Sequence, residues 1–135
     1  MPRTAHCSCG ALRLETSGEP DHVMACHCQA CQRRTGSAFG LGAYFRKDSV
    51  RVEGASTVFV RPAPEGRVLR NHFCPTCGTT LFWAADRLPD HIGIAVGGFD
   101  AAKAFRPTIS IWEGAGHDWA TVAGDIPHFP GTRPA

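Results

Sequence analysis

The sequence predicts a mainly β protein of packed, short antiparallel sheets, stapled by zinc and carrying little helix. Short segments alternate apolar and polar residues, the period of a half-buried strand. Fifteen Gly and ten Pro punctuate the 135 residues and cluster between those segments, as turns require. Seven cysteines fall in three tight groups, a pattern of metal staples in a chain with a modest core.

The elements follow in order. Ala11 to Glu15 alternates and reads as a strand, closed by the Gly18-Glu19-Pro20 turn. Gln29 to Thr35 reads as a short helix that starts within a cysteine cluster. Phe39 to Phe45, Val50 to Glu53 and Val58 to Arg61 read as strands; a Pro/Gly-rich turn over 61–66 ends the last. Val68 to Phe73, Thr79 to Trp83, His91 to Val96 and Thr108 to Trp112 complete the strands, with a turn of helix over Ala101 to Phe105. The tail from Asp125 to Gly131 reads as irregular. With no repeat, linker or low-complexity tract, residues 1–135 read as one domain.

Composition narrows the function. Hydrophobic residues make up 43% and charged residues 19%, which is globular and not disordered. A net charge of +2 with no basic run gives no footprint for nucleic acid. The apolar runs are far short of a membrane span. The opening MPRTAHCSCG lacks the apolar stretch of a secretory leader, so a cytoplasmic location is expected. In a reducing compartment, an odd number of cysteines points to metal or catalysis rather than disulfides.

The cysteine clusters are Cys7-Ser8-Cys9-Gly10, Cys26-His27-Cys28-Gln29-Ala30-Cys31 and Cys74-Pro75-Thr76-Cys77-Gly78. The third reads as a zinc knuckle: two thiolates across a tight turn, with a trailing Gly that permits the turn's backbone. A structural zinc wants four ligands. The partner pair is either Cys7/Cys9 or two of the middle three. Cys7-Ser8-Cys9-Gly10 has the same trailing Gly and also precedes a strand, so Cys7, Cys9, Cys74 and Cys77 pair as one closed site. Sites of this kind contribute roughly 10–16 kcal/mol of apparent binding to small zinc peptides. Cys26, Cys28 and Cys31 then remain as three ligands with one position open, the pattern of a catalytic zinc. Two other readings stand beside it: a structural site completed by His27 or another His, and a metal-free redox pair, Cys28-Gln29-Ala30-Cys31.

These clusters in this order, with Gln32-Arg33, Thr35-Gly36-Ser37-Ala38-Phe39, Phe73 and Thr79 around them and Ile126-Pro127-His128-Phe129 near the end, resemble the glutathione-dependent formaldehyde-activating enzyme family, also called the centromere-protein-V-like family. The resemblance implies an Mss4-like fold and two zinc sites divided as above; three thiolates beside an open position oxidise and lose metal easily, so the second site is expected to be labile or empty. It also implies condensation of formaldehyde with glutathione to S-hydroxymethylglutathione, formally a carbon–sulfur lyase in reverse. The partners implied are a small thiol such as glutathione and a small carbonyl compound. Under this reading Cys26, Cys28 and Cys31 hold the catalytic zinc, and His27 between them is a candidate proton or hydrogen-bond donor. Arg33 and Arg34 are candidates for holding carboxylates, and Ser37, Phe39 and Trp112 for lining a pocket. His72, His91, His117 and His128 sit singly in the sequence, and nothing marks them as ligands. A zinc-stapled binding module without chemistry is the alternative.

Overall fold

A computed structural model describes residues 2–133. The strands are β1 (Arg3–His6), β2 (Arg13–Thr16), β3 (His22–Cys26), β4 (Gly40–Arg46), β5 (Val50–Glu53), β6 (Thr57–Pro62), β7 (Val68–Phe73), β8 (Thr80–Ala85), β9 (His91–Ala95) and β10 (Ile109–Ile111); one helix, α1 (Gln29–Thr35), follows β3. They form a three-stranded sheet in the order β1-β2-β5 and a seven-stranded sheet in the order β10-β3-β4-β9-β8-β7-β6. The mainly β expectation and the position of α1 match the structure. No described helix is long and apolar enough to cross a membrane.

The structure differs from the sequence reading at three points. β1 and β3 were not expected. β3 is covered on both faces, Val23 by the main core and Met24 by a second cluster with Ile109 and Ile111, so Val23, Met24 and Ala25 are all buried and the strand shows no alternation. The β10–β3 pairing is parallel, so the larger sheet is mixed rather than purely antiparallel. The tail is irregular in shape but strapped to β10: Ser110 N–H donates to the Pro127 carbonyl at 3.0 Å and Phe129 N–H to the Ser110 carbonyl at 2.9 Å.

Period-two alternation gives the larger sheet two distinct faces. One face carries Val23, Ala43, Phe45, Phe82 and Ile94, and packs on Ala5, Leu12 and Leu14 to form the main core. Phe45, Phe99 and Phe105 meet there, with ring centroids 4.5–6.4 Å apart. The other face, by the same register, carries Cys26, Gly42, Tyr44, Gly93, Trp83, Asn71 and Arg61. It does not pack on the smaller sheet, and the cavity described below opens on it.

Trp83 lies on this second face across two glycines. A Cβ at Gly42 would come within 2.6 Å of the indole Cζ2, and one at Gly93 would overlap the pyrrole ring. Both strands surrender side chains to make room for one indole. Gly93→Ala is therefore expected to lower stability by about 1–3 kcal/mol, the usual cost of overpacking. Urea unfolding of the zinc-loaded protein measures this; unchanged stability would mean that Trp83 is free to move aside.

Candidate metal centre

The first and third cysteine clusters form matched turns. Gly10 N–H donates to the Cys7 carbonyl and Cys7 N–H to the Leu12 carbonyl; Gly78 N–H and Cys74 N–H repeat the pattern with the Cys74 and Thr79 carbonyls. Gly10 and Gly78 both have positive φ, 84° and 79°, which the turns need and other residues resist. Leu12 N–H and Thr76 N–H point at the sulfurs of Cys7 and Cys74, at 3.3 and 3.4 Å. The hydroxyl of Thr79 bonds Ser8 and ties one turn to the other.

Four sulfurs result, from Cys7, Cys9, Cys74 and Cys77, all within 4.8 Å of one another. Cys7–Cys9 and Cys9–Cys74 are each 3.7 Å. A tetrahedral zinc with bonds of about 2.3 Å separates its sulfurs by about 3.8 Å, so the donors fit that ion in type, number and spacing. The Cys77 thiol is pulled down to about 5, chiefly by hydrogen bonds from Thr79, and so is ready to ligate as a thiolate.

The middle cluster is built by the end of β3 and the start of α1. Cys26 closes the strand, Cys28 is the N-cap of the helix, and Cys31 lies in its first turn. The cap is a sulfur: Cys31 N–H donates to Cys28 Sγ at 3.4 Å. Gly36 ends the helix in the left-handed conformation and returns its N–H to the Gln32 carbonyl. The three sulfurs lie within 4.8 Å of one another, and no other His, Cys, Asp or Glu of the described residues joins them. They fit a soft divalent metal as a three-donor set. The neighbouring Cys26 and Cys31 thiols favour the Cys28 thiolate and hold that thiol down to about 2. The same contacts, with burial, push Cys26 up.

All three cysteines line a cavity of about 410 Å³ over the free face of the seven-stranded sheet. Met24, Gly42, Tyr44 and Trp83 belong to its floor; α1, the 61–69 hairpin and Trp112 wall it. Arg34 enters from α1. Its guanidinium lies over the Trp83 ring, 4.4 Å from the centroid, and occupies the space that a Cβ on Gly40 would need. Trp83 Nε1–H donates to the Tyr44 hydroxyl at 2.9 Å, which leaves the phenol proton free to donate in turn. Desolvation pushes Tyr44 up to about 12, so it stays neutral near pH 7.

The structure distributes the sequence candidates unevenly. Trp112 lines the cavity, with its backbone in the left-handed region at φ 58°. Arg33 and Ser37 are exposed and do not line it; Arg34 takes the place considered for either arginine. Phe39 packs its ring 5.0 Å from His27, behind the cluster. His27 is buried, and its Nε2 faces Ser110 Oγ at 3.0 Å, away from the sulfurs. Desolvation holds His27 below its ordinary value. Glu113 is held low by the Ser110 hydroxyl and His128, whose Nδ1 is 2.6 Å away. Gln32 braces the loop by donating to the carbonyls of His27 and Ala115. Of the other histidines singled out in the sequence, His117 meets Gln32, His91 meets Asp21, and His72 stacks on Phe82.

Sequence reasoning did not single out Tyr44, Trp83 or Arg61. The available signal was the alternation Gly40, Gly42, Tyr44 in one strand, which opens a trench on one face.

The charge arrangement of the middle cluster predicts an order of reactivity. Once a mild chelator has removed labile metal, iodoacetamide at about pH 6 should alkylate Cys28 before Cys26, because only the thiolate reacts. Peptide mass spectrometry measures the order, and modification of Cys26 first would contradict the arrangement.

Comparison with known proteins gives a fold and a family. A Schizosaccharomyces pombe (strain 972 / ATCC 24843) protein named "Uncharacterized lyase C29B12.13" is 29% identical over 79 residues, which cover 58% of this chain and 55% of that one. The chain thus matches about half the length of that curated relative. A crystal structure of a Rhodobacter sphaeroides protein superposes with a TM-score of 0.61 at 22% identity, covering 93% of this chain and 98% of the other, and so shares the fold. Residues 2–115, which hold all seven cysteines and both sulfur clusters, match the profile of the glutathione-dependent formaldehyde-activating enzyme family, and the chain belongs to that family.

Proposed function

We propose that the protein is a zinc-dependent carbon–sulfur lyase of the S-(hydroxymethyl)glutathione synthase type. Its substrate would be a small adduct of an aldehyde, such as formaldehyde, with a thiol, such as glutathione. The observation that carries this reading is the three-sulfur cluster facing a cavity, with no fourth donor from the described residues. A zinc ion held by Cys26, Cys28 and Cys31 would supply Lewis acidity and keep an incoming thiol ionised. The family membership and the lyase name of the yeast relative support the same class of chemistry.

In the synthetic direction a carbon–sulfur bond forms as thiolate sulfur attacks the carbonyl carbon, and the carbonyl oxygen takes up a proton. The lyase direction breaks that bond and returns the proton. The chain's residues serve these needs. The Tyr44 hydroxyl, already accepting from Trp83, donates towards the oxygen. Arg34, pinned on Trp83, offers positive charge beside the cluster. Met24, Ile111 and Trp112 exclude water from part of the cavity.

Two zinc ions per chain are expected, one of them readily lost to a chelator without unfolding. Cys28→Ser should keep the fold and lose the labile ion, whereas Cys77→Ser should unfold the domain by leaving the closed site with three ligands. Metal analysis with circular dichroism measures both variants; equal unfolding of the two would make the middle site structural. In an NMR-monitored titration, glutathione followed by formaldehyde should shift resonances of Cys26–Arg34 and form S-hydroxymethylglutathione faster than without protein. A single tightly held zinc and no rate enhancement would favour the alternative, a stapled binding module.

A further inference from the structure

We propose that β6 pairs with β6 of a second copy of this chain, antiparallel about a two-fold axis at Phe59, to give one continuous sheet with seven strands from each copy. The inference concerns assembly and does not depend on the reaction proposed above.

The two sheets have four edge strands, β1 and β5 in the smaller and β10 and β6 in the larger. An open edge is a template for pairing with another chain, and proteins that stay monomeric cover or charge it. Three of the four are so treated. β1 is bridged by Phe99, and Asp100 N–H donates to the Thr4 carbonyl at 3.0 Å. β10 is strapped by the tail through the Ser110–His128 bridge. β5 reads Val50-Arg51-Val52-Glu53 and sets both signs of charge along its edge. β6 has neither device over residues 57–60. No strand of the described residues pairs with its outer side, and Thr57-Val58-Phe59-Val60 carries no charge. Val58, Phe59 and Val60 are 43%, 58% and 52% exposed, so this edge is apolar on both faces.

The backbone shows which groups are open. Ala63 N–H donates to the Arg67 carbonyl at 2.8 Å, one step beyond the Pro62–Val68 rung. Antiparallel ladders alternate bonded and non-bonded pairs. Counting back from that bond, Phe59 and Arg61 bond to β7, whereas Val58 and Val60 turn N–H and C=O outward, and Pro62 its carbonyl alone. Val68 agrees, since its N–H and carbonyl bond Asp86 and not β6.

A second copy fits this edge in chemistry and charge. With Phe59 opposite Phe59, Val58 of each copy faces Val60 of the other, and their outward N–H and C=O groups exchange hydrogen bonds. The side chains match as well: a Phe–Phe pair lies on the cavity face and Val–Val pairs lie on the other. Arg61, the one charged residue of β6, then stands opposite Thr57 instead of another arginine, so no like charges meet. The axis is perpendicular to the sheet. Both cavities therefore open on the same side, with Arg61 of each in the wall beside the junction. Each copy uses its β6 once, so the assembly closes at two.

Sedimentation velocity of the zinc-loaded protein tests this. The chain is expected to dimerise reversibly with a Kd on the order of 10 μM, since one strand pair is a small interface. Hydrogen exchange at the Val58 and Val60 amides should slow as concentration rises. Val60→Pro removes an outward N–H that β7 does not use, and Phe59→Lys sets two cations opposite each other; each should weaken the dimer at least ~tenfold. Unchanged zinc content and circular dichroism are the folding control. Should Val60→Pro fail to fold, Phe59→Lys decides alone, because that side chain is more than half exposed. Val52→Lys, which also removes an exposed valine, should leave the dimer intact. A chain that is monomeric at roughly 100 μM would overturn the proposal. So would a dimer that Phe59→Lys leaves unaffected or Val52→Lys weakens equally, or association that continues past two copies.

Discussion

Four sulfurs within 4.8 Å impose a charge constraint that the rest of the protein obeys. Two unit charges about 4 Å apart repel by roughly 1 kcal/mol in water and about 4 kcal/mol near a protein surface. Four thiolates at such spacings, two of them buried, cannot persist without a cation. The same four groups join the end of β1 to the β7–β8 turn, and so hold the smaller sheet against the larger one. Leu12 and Leu14, just beyond that junction, reach into the main core. The cavity depends on it in turn: with one face of the large sheet covered by the small sheet, the opposite face is left to bind.

On that opposite face the protein spends side-chain volume to gain a site. Gly40, Gly42 and Gly93 contribute no bulk, and the space they leave holds the arginine, indole and phenol of Arg34, Trp83 and Tyr44. Each of these three fixes the next. The guanidinium stacks on the indole, and the indole N–H donates to the phenol. Side chains so constrained lose little further entropy when a ligand binds, which is what a preorganised site requires.

Much of this was legible in the sequence, for physical reasons. The two outer cysteine turns share a trailing glycine, Gly10 and Gly78, and each precedes a strand, so their pairing was legible and the middle three cysteines were left as a second group. α1 showed its bounds because Cys28 and Gly36 cap it. Strands with one wet face, such as β5, showed by alternation. β3 did not, because burial of both its faces erases the period, and β1 did not, because only Ala5 of its four residues is buried. The cavity was hidden for a different reason. Its walls converge from β4, β7, β8 and the tail, and sequence adjacency favoured Arg33, Ser37 and Phe39 over residues brought in by register. His27 stands between two cysteines in the sequence, yet β3 and β10 turn its ring towards Ser110.

The sulfur cap of α1 has a consequence for local stability. The helix has seven residues and buries none of them. A helix that short does not hold in water on its own propensity. Its order is lent by Cys28 and Cys31, whose sulfurs belong to the metal cluster, and by the Gln32 brace behind it. Opening free energy in this segment is therefore coupled to the state of three sulfurs rather than to the global unfolding of the sheets. Arg34 rides on the last turn. Whatever loosens the three sulfurs therefore also loosens the turn that carries Arg34, and with it the guanidinium that lines the cavity, while the sheets stay intact.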